Sequence, residues 1–299
     1  MTSIAFIGLG HMGGPMAVNL AKAGYDVTGF DLMPEALAAA TALGVAVSAS
    51  GAEAVSDADI VITMLPAGRH VIQVYGELLP AAKPGTIFID SSTIAVDDAR
   101  AAHQLAVAAG HRNLDAPVSG GVVGAEAGTL AFMVGGSVED FAETLPVFEA
   151  MGKRIVHCGG SGLGQAAKIC NNMILGATMI AVSEAFVLGE KLGLEHQALY
   201  DVAANASGQC WALTTNCPVP GPVPTSPANR DYQPGFAGAL MAKDLGLAAQ
   251  AFESAGVHSE IGMLASEIYT RFAAGDGAEL DFSGIIKDIR TRSDEKDAA

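Results

Sequence analysis

Hydrophobic and polar positions along the first half of the chain alternate between short apolar runs and longer segments with helical spacing. Ser3-Ile4-Ala5-Phe6-Ile7 reads as a buried strand, and the stretch Met16 to Ala23 that follows is amphipathic. A second strand is expected over Asp26 to Phe30 and a helix over Pro34 to Leu43, with buried strands at Ile60 to Thr63 and Thr86 to Asp90. Val96 to Ala109 has helical composition, and Asn113 to Ala116 reads as the end of a strand. Ala131 to Val134 and Ile155 to His157 flank a helix near Val138 to Ala150. Strand and helix in alternation predict a parallel sheet. From Gly164 onward no strand pattern persists, and apolar residues recur at helical spacing. Gly164 to Leu192 contains no proline and is followed by Gly193, so one helix of about 29 residues, or ~43 Å, is expected there. Pro218, Pro220, Pro222, Pro224 and Pro227 with Gly221 mark an extended loop. Met241 to Gly256 and Ser259 to Ala274 read as two further helices, and the tail from Asp294 to Ala299 is expected to fray.

The turn after the first strand carries chemistry. Gly8-Leu9-Gly10-His11-Met12-Gly13 has the G-x-G-x-x-G spacing between a strand and a helix. Gly8 permits the tight turn, Gly10 lets backbone approach a pyrophosphate, and Gly13 lets helix and strand close on each other. Asp31 ends the second strand, near the ~20-residue offset at which a carboxylate meets the adenosine ribose. It would accept from a free 2′-hydroxyl and repel a 2′-phosphate, and the adjacent Leu32 and Met33 supply no arginine. NAD is therefore expected over NADP. The predicted fold is of the α/β class: a Rossmann-type dinucleotide-binding domain over 1–162, joined by a long helix at about 164–192 to an all-α domain over 163–299 for substrate and self-association.

Composition narrows the partners. With 32 acidic and 16 basic residues among 299, the formal charge of −16 offers no broad cationic surface for nucleic acid or anionic lipid. The four cysteines, Cys158, Cys170, Cys210 and Cys217, form no C-x-x-C pair, so they read as reduced thiols and no metal site is expected. The first strand begins at once, leaving no leader segment, which predicts a cytoplasmic protein. The apolar tract from Met173 to Gly189 contains Ser183 and Glu184 and follows Asn171 and Asn172, the pattern of an interior helix rather than a membrane span. A small molecule with an anionic group would need a local cation.

Lys168 is the candidate cation. With Asn171 and Asn172 it occupies i, i+3 and i+4 near the start of the long helix, so the three side chains share a face; a cleft between domains and a polar surface patch both fit that pattern. The loop Asp115-Ala116-Pro117-Val118-Ser119-Gly120-Gly121-Val122 ends a strand, and its Ser119, Gly120 and Gly121 N–H groups suit a carboxylate, although a plain glycine turn has the same sequence. Leu65 and Pro66, in Met64-Leu65-Pro66, and Thr93, in Ser91-Ser92-Thr93, follow two other strands, where open parallel sheets place ligands. Trp211 and Phe236 are aromatic candidates to cover a pocket or to fill a core.

Four separated motifs give the chain its resemblance to the 3-hydroxyisobutyrate dehydrogenase family of β-hydroxyacid dehydrogenases over nearly its full length. They are Phe6-Ile7-Gly8-Leu9-Gly10-His11-Met12-Gly13, Asp115-Ala116-Pro117-Val118-Ser119-Gly120-Gly121, Lys168-Ile169-Cys170-Asn171-Asn172 and Met241-Ala242-Lys243-Asp244-Leu245. The resemblance implies that Lys168 is the catalytic acid/base, that Ser119, Gly120 and Asn172 contact substrate, and that Thr93 and Lys243 contact the nicotinamide cofactor. It implies oxidation of 3-hydroxyisobutyrate to methylmalonate semialdehyde, a step of valine catabolism. A buried Lys168 would need its pKa brought down from about 10.4 to act as a base near neutrality. Two departures from the family pattern are His11, where asparagine is common, and Asn216-Cys217, where Tyr-Asn is usual. Alternatives on the same scaffold are an NADP-linked reductase of tartronate semialdehyde, succinic semialdehyde or glyoxylate, a dehydrogenase of L-serine or 3-hydroxypropionate, an imine reductase, and a non-catalytic reader module. The long apolar helix further predicts a homodimer or homotetramer.

Overall fold

A computed structural model describes the backbone of residues 1–297 and side chains as far as Asp294. Among the described residues, contacts divide the chain into two compact units, Met1–Lys168 and Ile169–Ala299. The N-terminal unit is built on one sheet. Its strands are β1 (Ser3–Ile7), β2 (Asp26–Phe30), β3 (Ala46–Val47), β4 (Ile60–Thr63), β5 (Ile87–Asp90), β6 (Arg112–Asp115), β7 (Val118–Ser119), β8 (Leu130–Gly135) and β9 (Gly152–Gly159). They lie in the order β3-β2-β1-β4-β5-β6-β8-β7, with β9 on β8. The strands from β3 to β6 run parallel, as alternation with helices requires.

The sheet is mixed where the sequence pattern predicted a parallel one. β6 and β7 both pair antiparallel with β8 in a single register, Asp115 opposite Gly135 and Ser119 opposite Ala131. Pro117 interrupts the strand because it has no N–H to donate, but its carbonyl still accepts from Met133 N–H at 3.1 Å. The β6 chain therefore runs on past its own parallel neighbour and carries Ser119 beyond the carboxyl end of β5. The short helix Gly121–Ala127 then reverses it into β8.

Helices cover both faces of the sheet, each over its own core. Ile4, Phe6, Met16, Leu20, Ile62, Ile89, Leu114, Phe132 and Phe148 are buried on one side. Ala5, Val61, Val71, Tyr75, Phe88 and Ala102 are buried on the other, so β1, β4 and β5 send successive residues to opposite faces. The helices are α1 (Gly13–Lys22), α2 (Pro34–Ala42), α3 (Gly51–Val55), α4 (Gly68–Leu78), α5 (Val96–Ala108), α6 (Gly121–Ala127) and α7 (Val138–Met151). α3, at five residues, is too short for helical spacing to show, and α4 went unassigned although its Val71, Ile72, Val74, Tyr75 and Leu78 recur at helical spacing.

Helix α8 spans Leu163–Lys191 and runs through the division between the units. Gly193, at φ +80°, stops it: Leu194 N–H returns to the Gly189 carbonyl, a left-handed cap that favours glycine. By length and composition α8 is apolar enough to cross a bilayer, with mean hydropathy 1.5. In this fold it is a core helix, burying Met179, Ile180, Phe186 and Val187 and, among polar groups, Lys168, Asn172 and Ser183. The C-terminal unit is otherwise helical, with α9 (His196–Ala203), α10 (Trp211–Thr214), α11 (Gly238–Ala255), α12 (Ile261–Ala274) and α13 (Ile285–Asp297). α13 corrects the expectation of a frayed tail as far as Asp297; residues 298–299 lie outside the described part.

The two ends of the stretch from Asn216 to Phe236, which contains the proline-rich segment, are gathered by one buried carboxylate. Asp281 accepts from Asn216 Nδ2 at 3.1 Å, from the N–H groups of Gly235 at 3.0 Å and Phe236 at 3.1 Å, and from both Ser283 N–H and Oγ. Removing a carboxylate that satisfies so many buried donors leaves each of them desolvated without a partner. Asp281→Ala should therefore lower the unfolding free energy by about 3 kcal/mol or more, measured by urea denaturation; a loss below 1 kcal/mol would show that the loop is held elsewhere.

Candidate active site

The carboxyl ends of β1, β2, β4, β5 and β6 bring most of the expected site residues of the first unit together. Gly8 sits at φ +96° directly after β1, and a side chain there would place its Cβ 2.3 Å from the Met64 carbonyl oxygen. At Gly13 a Cβ would lie 1.9 Å from the Gly8 carbonyl oxygen, whereas at Gly10 it would meet no protein atom within 4 Å. Two glycines thus allow backbone to pack against backbone, and the third faces open space. That is the cradle a pyrophosphate needs, so the residues present fit a dinucleotide. Asp31 borders the cradle, its carboxylate accepting from Leu9 N–H at 2.7 Å and from Met33 N–H at 2.8 Å. Those bonds fix the carboxylate beside the turn. His11 and Met12 complete the turn before α1.

The loops after β4 and β5 are joined by a buried polar chain. Leu65 N–H donates to Ser92 Oγ at 2.8 Å, and Ser92 Oγ donates to Asp90 Oδ1 at 2.6 Å. Thr63 Oγ1, from the end of β4, donates to the same Asp90 oxygen at 2.7 Å. Leu65, Pro66 and Thr93 are positioned by this chain. Burial pushes the Asp90 carboxyl up to about 6, against the lowering effect of the Ser92 and Thr63 hydrogen bonds, and its Oδ2 is buried with no partner among the described residues.

The start of α8 is fastened to the same rim. Asp115, the last residue of β6, accepts from Gly162 N–H at 2.7 Å and from Gln165 N–H at 2.9 Å. Its carboxyl is raised by burial, with those N–H bonds opposing the shift. The Gln165 side chain donates to the Ser92 carbonyl at 2.7 Å and accepts from Ile94 N–H at 3.2 Å. Lys168 follows three residues later and is only 6 % exposed. Ser119, Gly120 and Gly121 extend β6 toward this rim, the last two at φ +134° and +61°, values that favour glycine.

In the second unit a different cluster forms. Asn171 Nδ2 donates to Asn172 Oδ1 at 3.0 Å, and Asn172 Nδ2 donates to Asp244 Oδ2 at 2.5 Å. Lys243 Nζ lies 3.9 Å from Asp244 Oδ1. Lys168, Asn171 and Asn172 are carried by the one continuous helix at the spacing that puts them on one face. Trp211 opens α10 and is 51 % exposed, so it is not core, whereas Phe236 packs against Phe282. The Asn216-Cys217 departure falls in the interior: Cys217 is fully buried among Phe186, Leu213 and Val219, and burial raises its thiol pKa. Among the described residues no His, Cys, Asp or Glu cluster could hold a metal. Sequence reasoning overlooked Gln165 and the bonding role of Asp244. Both were legible as polar residues one helical turn from, or beside, a residue already singled out, but their partners lie far away in sequence.

A glycine cradle with a carboxylate fixed beside its turn, and a buried lysine in the same unit, fit the class of nicotinamide-dinucleotide oxidoreductases. Comparison with known proteins agrees with that class. Residues 3–160 match the model of the NAD-binding domain of 6-phosphogluconate dehydrogenase, and residues 162–289 match that of the NAD-binding domain of NADP-dependent 3-hydroxyisobutyrate dehydrogenase. A probable 3-hydroxyisobutyrate dehydrogenase of Mycobacterium tuberculosis is 58 % identical over 98 % of this chain and all of its own length. The NAD-dependent L-serine dehydrogenase of Pseudomonas aeruginosa is 47 % identical over 96 % of this chain and 97 % of its own. A solved structure of the M. tuberculosis 3-hydroxyisobutyrate dehydrogenase with L-serine superposes with a TM-score of 0.95 at 58 % identity, covering 97 % of this chain and 99 % of that one. The chain belongs to the 3-hydroxyisobutyrate dehydrogenase family of β-hydroxyacid dehydrogenases. Its substrate is a small hydroxy acid and its cofactor a nicotinamide dinucleotide.

The raised Asp90 carboxyl has a consequence for stability. An unfolded aspartate titrates near 3.9, and the folded one near 6. Between those values the native state holds the proton that the unfolded chain has lost, so stability falls as pH rises through that window. The full cost, about 3 kcal/mol, is in place above pH 6. Asp90→Asn should flatten this dependence, read as urea midpoints between pH 4 and pH 7. Equal slopes in both proteins would refute the linkage.

Proposed function

We propose that this chain oxidises 3-hydroxyisobutyrate to methylmalonate semialdehyde with NAD, as a cytoplasmic enzyme of valine degradation. What carries the reading is the burial of Lys168 on the α8 turn that follows the one tied to the carboxyl ends of β5 and β6. A nearly buried lysine beside a dinucleotide cradle suits proton transfer better than surface charge. The names of the relatives support the substrate class. The four cysteines are free thiols, in keeping with a reducing compartment. The dinucleotide-binding domain is assigned to 1–162 and the helical domain to 163–299.

Each site residue then has a task. Gly8 to Gly13 cradle the pyrophosphate, and Asp31 accepts from the adenosine ribose, which disfavours a 2′-phosphate. Leu65, Pro66, Thr93 and Lys243 line the remainder of the cofactor. Ser119 Oγ and the N–H groups of Gly120 and Gly121 take the substrate carboxylate, while Asn171, Asn172 and Trp211 border the acid's other end. A nicotinamide held by these residues would supply the acceptor for the hydride of the hydroxyl-bearing carbon. Lys168 Nζ, as the free amine, takes the hydroxyl proton as the carbon–oxygen double bond forms; in reverse, its ammonium returns that proton. Asp244 accepts from Asn172 and so sets the Asn172 amide.

A second reading is favoured by two observations: the solved structure at 58 % identity contains L-serine, and a relative at 47 % identity is named for L-serine. L-Serine is also a 3-hydroxy acid, with an amine where 3-hydroxyisobutyrate has a methyl. Initial rates with 3-hydroxyisobutyrate, L-serine and 3-hydroxypropionate, each with NAD and NADP, test both readings. The fastest pair should be 3-hydroxyisobutyrate with NAD; a preference for L-serine or for NADP replaces that part of the assignment. Lys168→Ala should lower kcat about 100-fold or more with little change in NAD affinity; unchanged turnover would remove Lys168 from the chemistry.

Self-association as a homodimer or homotetramer is supported by the apolar side chains that α8 and its C-terminal turn leave exposed, Ile174, Leu188 and Leu192. Sedimentation velocity should show a species of two or four chains; a monomer at micromolar concentration would contradict it.

A further inference from the structure

Gln165 is fully buried and uses both ends of its amide on one short stretch of backbone. Its Nε2 donates to the carbonyl of Ser92 and its Oε1 accepts from the N–H of Ile94, the peptide groups on either side of Thr93. A side-chain amide in that position acts as a neighbouring strand would, gripping alternate polar groups of an extended chain. The grip is supported from both sides. Gln165 N–H is itself held by Asp115, and Ser92 is held by Asp90 and by Leu65 N–H. Every member of this chain belongs to the N-terminal unit, and Lys168 comes one helical turn after Gln165. Thr93 and the lysine turn are therefore linked through a single side chain bonded at both ends of its amide.

We propose that Gln165 is a positioning residue for the redox step, setting where Thr93 meets the nicotinamide ring relative to Lys168. The proposal rests on the reading of Thr93 as a nicotinamide contact. The chemistry of the site selects glutamine. Asparagine is one methylene shorter and cannot span the two peptide groups from the same helix position. Glutamate keeps the acceptor for Ile94 N–H but turns an oxygen without a proton toward the Ser92 carbonyl.

The test uses ADP-ribose, which fills the adenosine and pyrophosphate part of the site and lacks the nicotinamide. Affinities of NADH and ADP-ribose are measured for the wild type, Gln165→Met, Thr93→Ala and the double variant, together with kcat and KM where turnover is found. Gln165→Met should bind ADP-ribose within twofold of the wild type, bind NADH about tenfold more weakly, and lower kcat about tenfold with KM for the hydroxy acid nearly unchanged. The double variant should bind NADH no worse than the weaker single variant, because both changes break one linkage. Equal losses for NADH and ADP-ribose in Gln165→Met, unaltered NADH binding, or additive losses in the double variant would overturn the proposal. Thr93→Ala with wild-type NADH affinity would instead remove the reading of Thr93 on which it rests, and the proposal with it. Should Gln165→Met not fold, Gln165→Asn gives the same readouts, since it keeps a neutral amide that cannot reach both peptide groups.

Discussion

Asp115 holds the structure of the site in place. Its two oxygens accept N–H groups from the turn before α8 and from the first turn of that helix, donors that have no partner within the helix itself. The same residue closes β6, pairs with Asp90 on β5 in register, and faces Gly135 on β8. One carboxylate therefore ties the sheet, the start of the long helix and the loop that carries Ser119. Where Asp115 sits decides where Gln165 and, a turn later, Lys168 can be. The close approach needs Gly164, at which a Cβ would lie 2.7 Å from the Asp115 carbonyl oxygen.

Such an arrangement is costly in the interior. Asp90 and Asp115 are both buried, burial raises both pKa values, and the Asp115 charge adds to the tendency of the Asp90 proton to stay. Buried ionisable groups seldom add net stability compared with apolar packing of equal volume. What they add here is direction. Hydrogen bonds from Thr63, Ser92, Gly162 and Gln165 have fixed lengths and angles, so loops that would otherwise slide over an apolar surface are locked to one another. A dehydrogenase needs that rigidity, because hydride and proton leave the same alcohol in directions set by two separate partners.

The C-terminal unit repeats the device with a different carboxylate. Asp281 gathers the two ends of the stretch that contains the proline-rich segment, Asn216 on one side and Gly235 and Phe236 on the other, and Asn216 and Cys217 are buried there. The unusual Asn216-Cys217 pair is thus a feature of the helical core. Asp244 plays a comparable part for Asn172, orienting an amide that the family resemblance places against substrate. Asn172 is thus held by a carboxylate to which the proposed function gives no ligand contact.

Much of this was legible in the sequence because it is local. The glycine turn, the strands at Ile60 and Ile87, the long helix ending at Gly193 and the shared face of Lys168, Asn171 and Asn172 all follow from spacing within a few residues, where backbone geometry is set by neighbours. The antiparallel return of β8, the five-residue helix α3 and the partners of Gln165 were not legible. They depend on contacts between residues as far apart as Ser92 and Gln165, or Asn172 and Asp244, which the chain makes only once the sheet has formed and the helices have docked. The sequence by itself determined which elements form and which residue types stand ready at their ends. Tertiary structure alone decided which buried donor meets which acceptor, because each such pairing is chosen by the cost of leaving a polar group dry and unpaired in the folded interior.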